Sequence, residues 1–168
     1  MTHYTEPELA KMQTVMVGDR VGVAIKDHGD GRIEGTALFN NNGPRGSAVK
    51  LLALARDNYG VNYLECYGEH LRMLYESLGF VVKTEDAFNE EYAADDWDYD
   101  KHNHPAYYTL ALGSGKRKVQ KKGAQQDDTD YVALTDDLYK QAVEKAKKIK
   151  DPVKREQELA SARILLTM

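Results

Sequence analysis

Residues 43 to 80 constrain this chain more than any other stretch. A glycine-punctuated loop (Gly43-Pro44-Arg45-Gly46-Ser47) leads into an apolar helix, a short strand over residues 61–66 and a second helix that closes on Leu78-Gly79-Phe80. The helices follow from spacing: Ala48, Leu51, Leu52 and Ala55 fall at i, i+3, i+4 and i+7, as do Leu71, Leu74, Tyr75 and Leu78, so each helix has one apolar face. Gly46 or Ser47 caps the first. The second starts near Gly68 or Glu69 and stops at Gly79, a residue type suited to the left-handed C-terminal position. Phe80, Val81 and Val82 then open a strand. Glycines let backbone N–H groups approach a ligand, and a helix starting at Ser47 adds the positive end of its dipole, so the loop is a place for phosphates.

This order of strand, glycine loop, helix, strand, helix and Tyr75-x-x-Leu78-Gly79-Phe80 resembles the GNAT-type N-acyltransferase superfamily over roughly residues 21 to 112. The resemblance implies a mixed, mostly antiparallel sheet flanked by helices, in which the strand before the loop splays from its neighbour. It also implies that the loop holds the pyrophosphate of acetyl-CoA or another acyl-CoA, and that a tyrosine before the Leu-Gly-Phe turn protonates the departing thiolate. Gly46-Ser47-Ala48 matches the end of the family loop and Tyr75 the tyrosine, so Asn42, Gly43, Arg45, Gly46, Ser47 and Ala48 are the expected cofactor-binding residues. The family usually has Gln or Arg three positions before its first loop glycine, where Gly43 stands, and often Asn seven positions before the tyrosine, where Gly68 stands. The chain is also similar to GNAT-like domains of phage and mobile-element proteins, through Leu74-Tyr75-Glu76-Ser77-Leu78-Gly79-Phe80, Asn89-Glu90-Glu91-Tyr92-Ala93 and Trp97-Asp98-Tyr99.

Before the loop, residues 5–16 read as a short helix with Thr5 as N-cap, Pro7 in its first turn, and Leu9, Met12 and Met16 on one face. Val21, Val23 and Ile25 alternate as a strand, Asp27-His28-Gly29-Asp30-Gly31 is a turn, and residues 32–39 return as the partner. A full GNAT domain places a further strand and two helices ahead of this hairpin. About twenty residues stand there, so the expected fold is an abbreviated one.

After the second helix, residues 85–104 form a long loop rich in acidic residues and carrying Phe88, Tyr92, Trp97 and Tyr99. It reads either as a flap over the sheet or as a substrate or partner surface. His102-Asn103-His104 is too short a set for a metal site, which needs three or four ligands, and no metal is expected. Residues 105–112 alternate as a last strand. Composition then changes abruptly: residues 113–130, with the basic run Lys116–Lys122, read as a flexible linker. Residues 131–168 read as a helical tail, with Thr135 as a cap, Leu138, Ala142, Lys145 and Ile149 on one face, and a further helix from Pro152. Helices this short need a partner, either their own domain (residues 1–112) or another chain in a homo-oligomer.

The 168 residues, 42 % hydrophobic, suit one domain with a tail, and a net charge of −4 argues against a dedicated nucleic-acid binder. One cysteine, Cys66, excludes an internal disulfide and reads as a small core residue more than a nucleophile. No apolar run approaches ~18 residues, so the protein is expected to be soluble, with no membrane partner, in the (host) cytoplasm or a virion. The resemblance leaves two functions, an N-acyltransferase moving an acyl group from acyl-CoA to an amine or a non-catalytic GNAT-like virion or protein-interaction module; a third, a nucleic-acid-associated protein using Lys116–Lys122, is disfavoured by the overall acidity. In the first, Tyr75 is the general acid, and Glu65, Glu34 and His70 are the candidate bases, Glu65 foremost.

Overall fold

In a computed structural model, residues 4–93, 95–114 and 128–168 are described. The sequence hairpin is present as β2 (Val21–Asp27) and β3 (Ile33–Asn40), paired antiparallel. Its turn is held by Asp27 Oδ1, which accepts from the Gly29 N–H at 2.8 Å, and by Asp30 Oδ1, which accepts from the Arg32 N–H at 3.0 Å.

The helix expected over residues 5–16 is corrected. Only α1 (Glu6–Leu9) is helical, its first turn tied by the Thr5 N–H and hydroxyl to the Glu8 carboxylate, both at 2.8 Å. Residues Gln13–Val17 form β1 instead, antiparallel to β2, with Val15 opposite Val23. Thr14, Val15 and Val17 are β-branched, and a strand laid beside β2 gains ladder hydrogen bonds that a marginal three-turn helix would not match.

The rest of the sheet comes from β4 (Tyr63–Tyr67), β5 (Phe80–Asp86) and β6 (Tyr107–Leu112), in the order β1-β2-β3-β4-β6-β5. Every neighbouring pair is antiparallel except β3 and β4, which meet in parallel at the single pair Glu34↔Tyr63. Asn62 tethers that junction: its side-chain oxygen accepts from the Ile33 N–H at 2.8 Å and its own N–H donates to the Ile33 carbonyl at 2.9 Å. Beyond it the two strands share no further pair, and β3 carries a left-handed residue, Ala37 (φ 49°), where its register against β2 shifts. Such a bulge bends the strand and increases its twist.

One face of the sheet is covered by α2 (Ser47–Asn58) and α3 (Glu69–Ser77), whose apolar faces bury Val49, Leu51, Leu52, Leu74 and Tyr75 against Val21, Val23, Leu64, Cys66, Phe80 and Leu110. Both helices begin and end where glycines and spacing place them; Gly79, with φ 93°, turns the chain from α3 into β5.

A short helix, α4 (Tyr99–His102), precedes β6 and packs on α6; of the C-terminal helices, α5 (Asp128–Lys147) lies against α2 and α3, α6 (Pro152–Ala162) packs on α5, and the 3-10 turn Arg163–Leu166 touches α3 and α5. They share the same core through Tyr131, Leu138, Leu165 and Met168. Thr135 does not cap a helix here. It sits inside α5, fully buried, its hydroxyl donating back to the carbonyls of Val132 at 3.0 Å and Tyr131 at 3.2 Å. A hydroxyl satisfied within its own helix no longer has to mark a start. Asp151 does cap α6, accepting from the N–H groups of Val153 and Lys154. Lys116–Lys122, and most of the span read as a linker, lie outside the described residues, and no helix among the described residues is long and apolar enough to cross a membrane.

Candidate functional site

The glycine loop stands between the end of β3 and the start of α2, and much of its hydrogen bonding is internal. Asn40 Oδ1 accepts from the Gly43 N–H at 2.7 Å, Asn40 Nδ2 donates to the Pro44 carbonyl at 3.2 Å, and the Pro44 carbonyl also accepts from the Ser47 N–H. Asn42 takes a left-handed conformation (φ 56°), its carbonyl held by Arg20 Nη1 at 3.3 Å. Gly43 is required by space, because a Cβ there would fall 2.5 Å from Val21 Cγ2. Gly46 is required twice over: its φ is 82°, and a Cβ would stand 3.2 Å from both the backbone nitrogen and Cγ2 of Val132 in α5.

The C-terminal segment closes the same place. The Ala48 N–H, in the first turn of α2, donates to the Met168 carbonyl at 2.9 Å, and Arg45 pairs with Asp136 of α5. Helix N-termini carry unsatisfied donors and a partial positive charge, and here a carbonyl oxygen of the same chain meets them. Of the residues expected to hold a pyrophosphate, Gly43, Ser47 and Ala48 have their N–H groups bonded internally, Gly46 is buried against α5, and Arg45 is engaged by a carboxylate. In this conformation these loop donors are taken by the chain itself.

The two catalytic candidates are not brought together. Tyr75, on the core side of α3, is only 7 % exposed; burial, and then the neighbouring Cys66, hold its phenol above the usual tyrosine range. Cys66 is pushed up to about 12 by the same burial, partly offset by Arg72. Glu65 precedes Cys66 on β4 and points to the other face of the sheet, where it is exposed. Alternation along a strand guarantees this separation.

On that second face a different set gathers. Tyr63 Oη donates to Glu65 at 3.0 Å, and Tyr107, opposite Tyr67 on β6, is raised by burial and then by its hydrogen bond to Glu65. Arg32 lies over the Tyr63 ring at 5.3 Å, and the buried Glu34 carboxylate is 2.8 Å from His28 Nε2. Helical spacing and turn signals give no reason to single out His28, Tyr63 or Tyr107. The signal for Tyr63 is the period of two in Tyr63, Glu65 and Tyr67, which places three polar or aromatic side chains on one face. His70, the remaining candidate base, faces neither set: it is 6 % exposed in α3, with Nε2 3.5 Å from Glu158 of α6 and Nδ1 without a partner.

The loop after β5 packs down through its rings. Phe88 and Trp97 meet at a tilt (5.1 Å), Phe88 stands edge-on to Tyr67 (5.9 Å) and Trp97 tilts against it (6.1 Å), and Tyr99 meets Phe88 and His104. Trp97 Nε1 donates to the Asn103 carbonyl at 3.1 Å, so the loop also closes on itself. His102 lies against Trp97, and His104 reaches Glu90 at 3.1 Å. Among the described residues no group of three or more His, Cys, Asp or Glu side chains could hold a metal ion.

No protein-family model matches the chain, and no curated protein matches it.

Proposed function

We propose that this chain is a GNAT-like domain of a phage or mobile-element protein that serves as a protein-interaction or virion module, and that it does not move acyl groups from acyl-CoA. The observation that carries this reading is the hydrogen bond from the Ala48 N–H to the Met168 carbonyl, which puts the protein's own backbone at the helix N-terminus where a pyrophosphate would have to sit. The departures from the family pattern at Gly43 and Gly68 point the same way. So does the sheet that separates Tyr75 from Glu65, since a proton donor and a base serving one reaction must face one substrate.

The GNAT-like part of the proposal rests on the order of elements and on the junction of β3 with β4: a single parallel pair, Glu34↔Tyr63, beside strands that are otherwise antiparallel. A splayed strand before the loop is what the resemblance implies. The cytoplasm, or a virion, is the corresponding location, with a protein as partner and nucleic acid disfavoured by the net charge of −4.

A second reading, an N-acyltransferase acting on an amine, is favoured by that same junction and by Tyr75, whose phenol stays protonated as a donor must. It requires the C-terminal segment to leave the loop. Calorimetric titration with acetyl-CoA and with free CoA separates the two. The module reading expects no binding heat from either; saturable binding that is lost in Gly46→Glu would replace it with the enzyme.

A further inference from the structure

On the sheet face opposite α2 and α3, one carboxylate stands among rings. Glu65 is exposed in the middle of β4, with Tyr63 and Tyr67 two residues to either side of it and Thr109 directly across on β6. Tyr63 Oη donates to Glu65 Oε1 at 3.0 Å, and the Tyr107 phenol is turned to the same carboxylate. These phenols fix where the charge points without balancing it. Glu34 has His28 and Glu69 has Lys145, but among the described residues no Lys, Arg or His forms an ion pair with Glu65. The Tyr67 and Tyr107 rings lie 5.1 Å apart beside it, and Phe88 and Trp97 continue the wall at 5.9 and 6.1 Å from Tyr67. All four rings are half-buried, so each keeps an open part. Further exposed acids border them: Asp86, opposite Tyr107 in the β5–β6 ladder, and Asp95 and Asp96, just before Trp97. At the other end of the row, Arg32 already lies over the Tyr63 ring at 5.3 Å.

Taking the chain as an interaction module, as above, we propose that this face is where it meets its partner, and that the partner is a protein segment presenting lysine. The ammonium group pairs with Glu65, and the methylenes that carry it lie on the rings of Tyr67 and Tyr107. Three physical requirements select that occupant. The fixed carboxylate and its acidic border call for positive charge, and aromatic faces attract a cation while covering its apolar stem. A carboxylate that already serves two phenols meets a compact ammonium more readily than a guanidinium, whose fork needs two free parallel acceptors. The acids along the segment from Asp86 to Asp96 extend the negative surface beyond what a small free amine would cover, which suits a basic stretch of chain. Because Tyr63 holds Glu65 in place before the partner arrives, little ordering of that side chain remains to be done on binding.

Titration of the full chain with the blocked peptide Gly-Lys-Gly-Lys-Gly, followed in proton–nitrogen correlation spectra, tests the site. Saturable shifts are expected at the amides of residues 63–67 and 107–109. Glu65→Gln, a change of nearly equal shape at an exposed position, should weaken binding about tenfold and leave the rest of the spectrum as it was. Glu91→Gln removes the same charge from an exposed position outside the ring wall and should bind as the wild type does. A peptide with acetyl-lysine should produce no shifts, and one with arginine should bind more weakly. The absence of saturable shifts with the lysine peptide would overturn the proposal, as would shifts that survive Glu65→Gln or fall equally in Glu91→Gln. So would an acetyl-lysine or arginine peptide that binds as tightly as the lysine one, because the ammonium is part of what is proposed. The module reading stands or falls separately, on the titration with CoA.

Discussion

Ala48 and Met168 are joined backbone to backbone, N–H to carbonyl at 2.9 Å, and Asn40 Nδ2 approaches the same carbonyl at 3.5 Å. One oxygen thereby ties the end of β3, the first turn of α2 and the C-terminal segment. The glycine loop lies between two of these anchors, so its conformation depends on how the C-terminal helices dock. Substitutions in the loop and in the tail therefore report on each other.

Gly46→Ala is expected to lower stability by about 1–2 kcal/mol, because a left-handed residue with a Cβ is strained and the Cβ would press on the Val132 backbone at 3.2 Å. Gly46→Glu should cost more, since its longer side chain must also displace α5. Urea denaturation midpoints measure both. An unchanged midpoint for Gly46→Ala would mean that α5 does not rest on the loop.

Truncation after Leu112 is expected to leave a chain that does not fold cooperatively. It removes Tyr131, Leu138, Leu165 and Met168 from the shared core, each a loss of about 1.5–3 kcal/mol against a total stability of about 5–15. The milder Leu165→Ala should cost about 2–5 kcal/mol and speed proteolysis within α6. A truncated protein with a sharp thermal transition would show that the core closes without the tail.

Much of this was legible in the sequence, and the failures have physical causes. The helices α2 and α3 and the β2–β3 hairpin are legible because their apolar spacing and their glycines agree with the final packing. At residues 13–17 they conflict: Met12 and Met16 stand at helical spacing, and only the presence of β2 alongside decides for a strand. Thr135 has the chemistry of a cap, but its full burial within the packed helices is a tertiary fact. The site was the least legible part. Nothing in Glu65 or Tyr75 as single residues says that a sheet stands between them, and nothing near the loop announces that Met168 will reach it.

Alkaline pH should destabilise the fold from an early point. The Cys66 thiol ionises near 9 when free and at about 12 when buried, so between these values the unfolded chain binds fewer protons than the folded one. The stability this contributes is complete below pH 9 and is lost as pH rises towards 12. Tyr75 and Tyr107, both raised by burial, add to the decline above pH 10. Urea titrations across this range should show the midpoint falling, with a shallower fall in Cys66→Ala. In the native protein at neutral pH, Ellman's reagent should react with Cys66 only as fast as the protein opens.

His70→Leu is expected to raise stability, by about 1 kcal/mol. The substitution removes a buried Nδ1 that has no partner and gives up only a 3.5 Å approach to the half-exposed Glu158. A fall in the thermal midpoint would mean that the imidazole's contact with α6 matters more than its orphaned nitrogen.

The strand order carries a consequence for how the chain reaches this state. β6 lies between β4 and β5, so β5, although earlier in the sequence, has nothing to pair with until β6 arrives. Two of the six strands, β5 and β6, must therefore wait for the segment between Asp86 and Tyr107 to bring its ends together. The rings of Phe88 and Trp97 close on Tyr67, with Tyr99 against Phe88, which makes the segment's length and its aromatic content determinants of folding rate. Trp97 is the only tryptophan in the chain, so its fluorescence follows that closure as it happens.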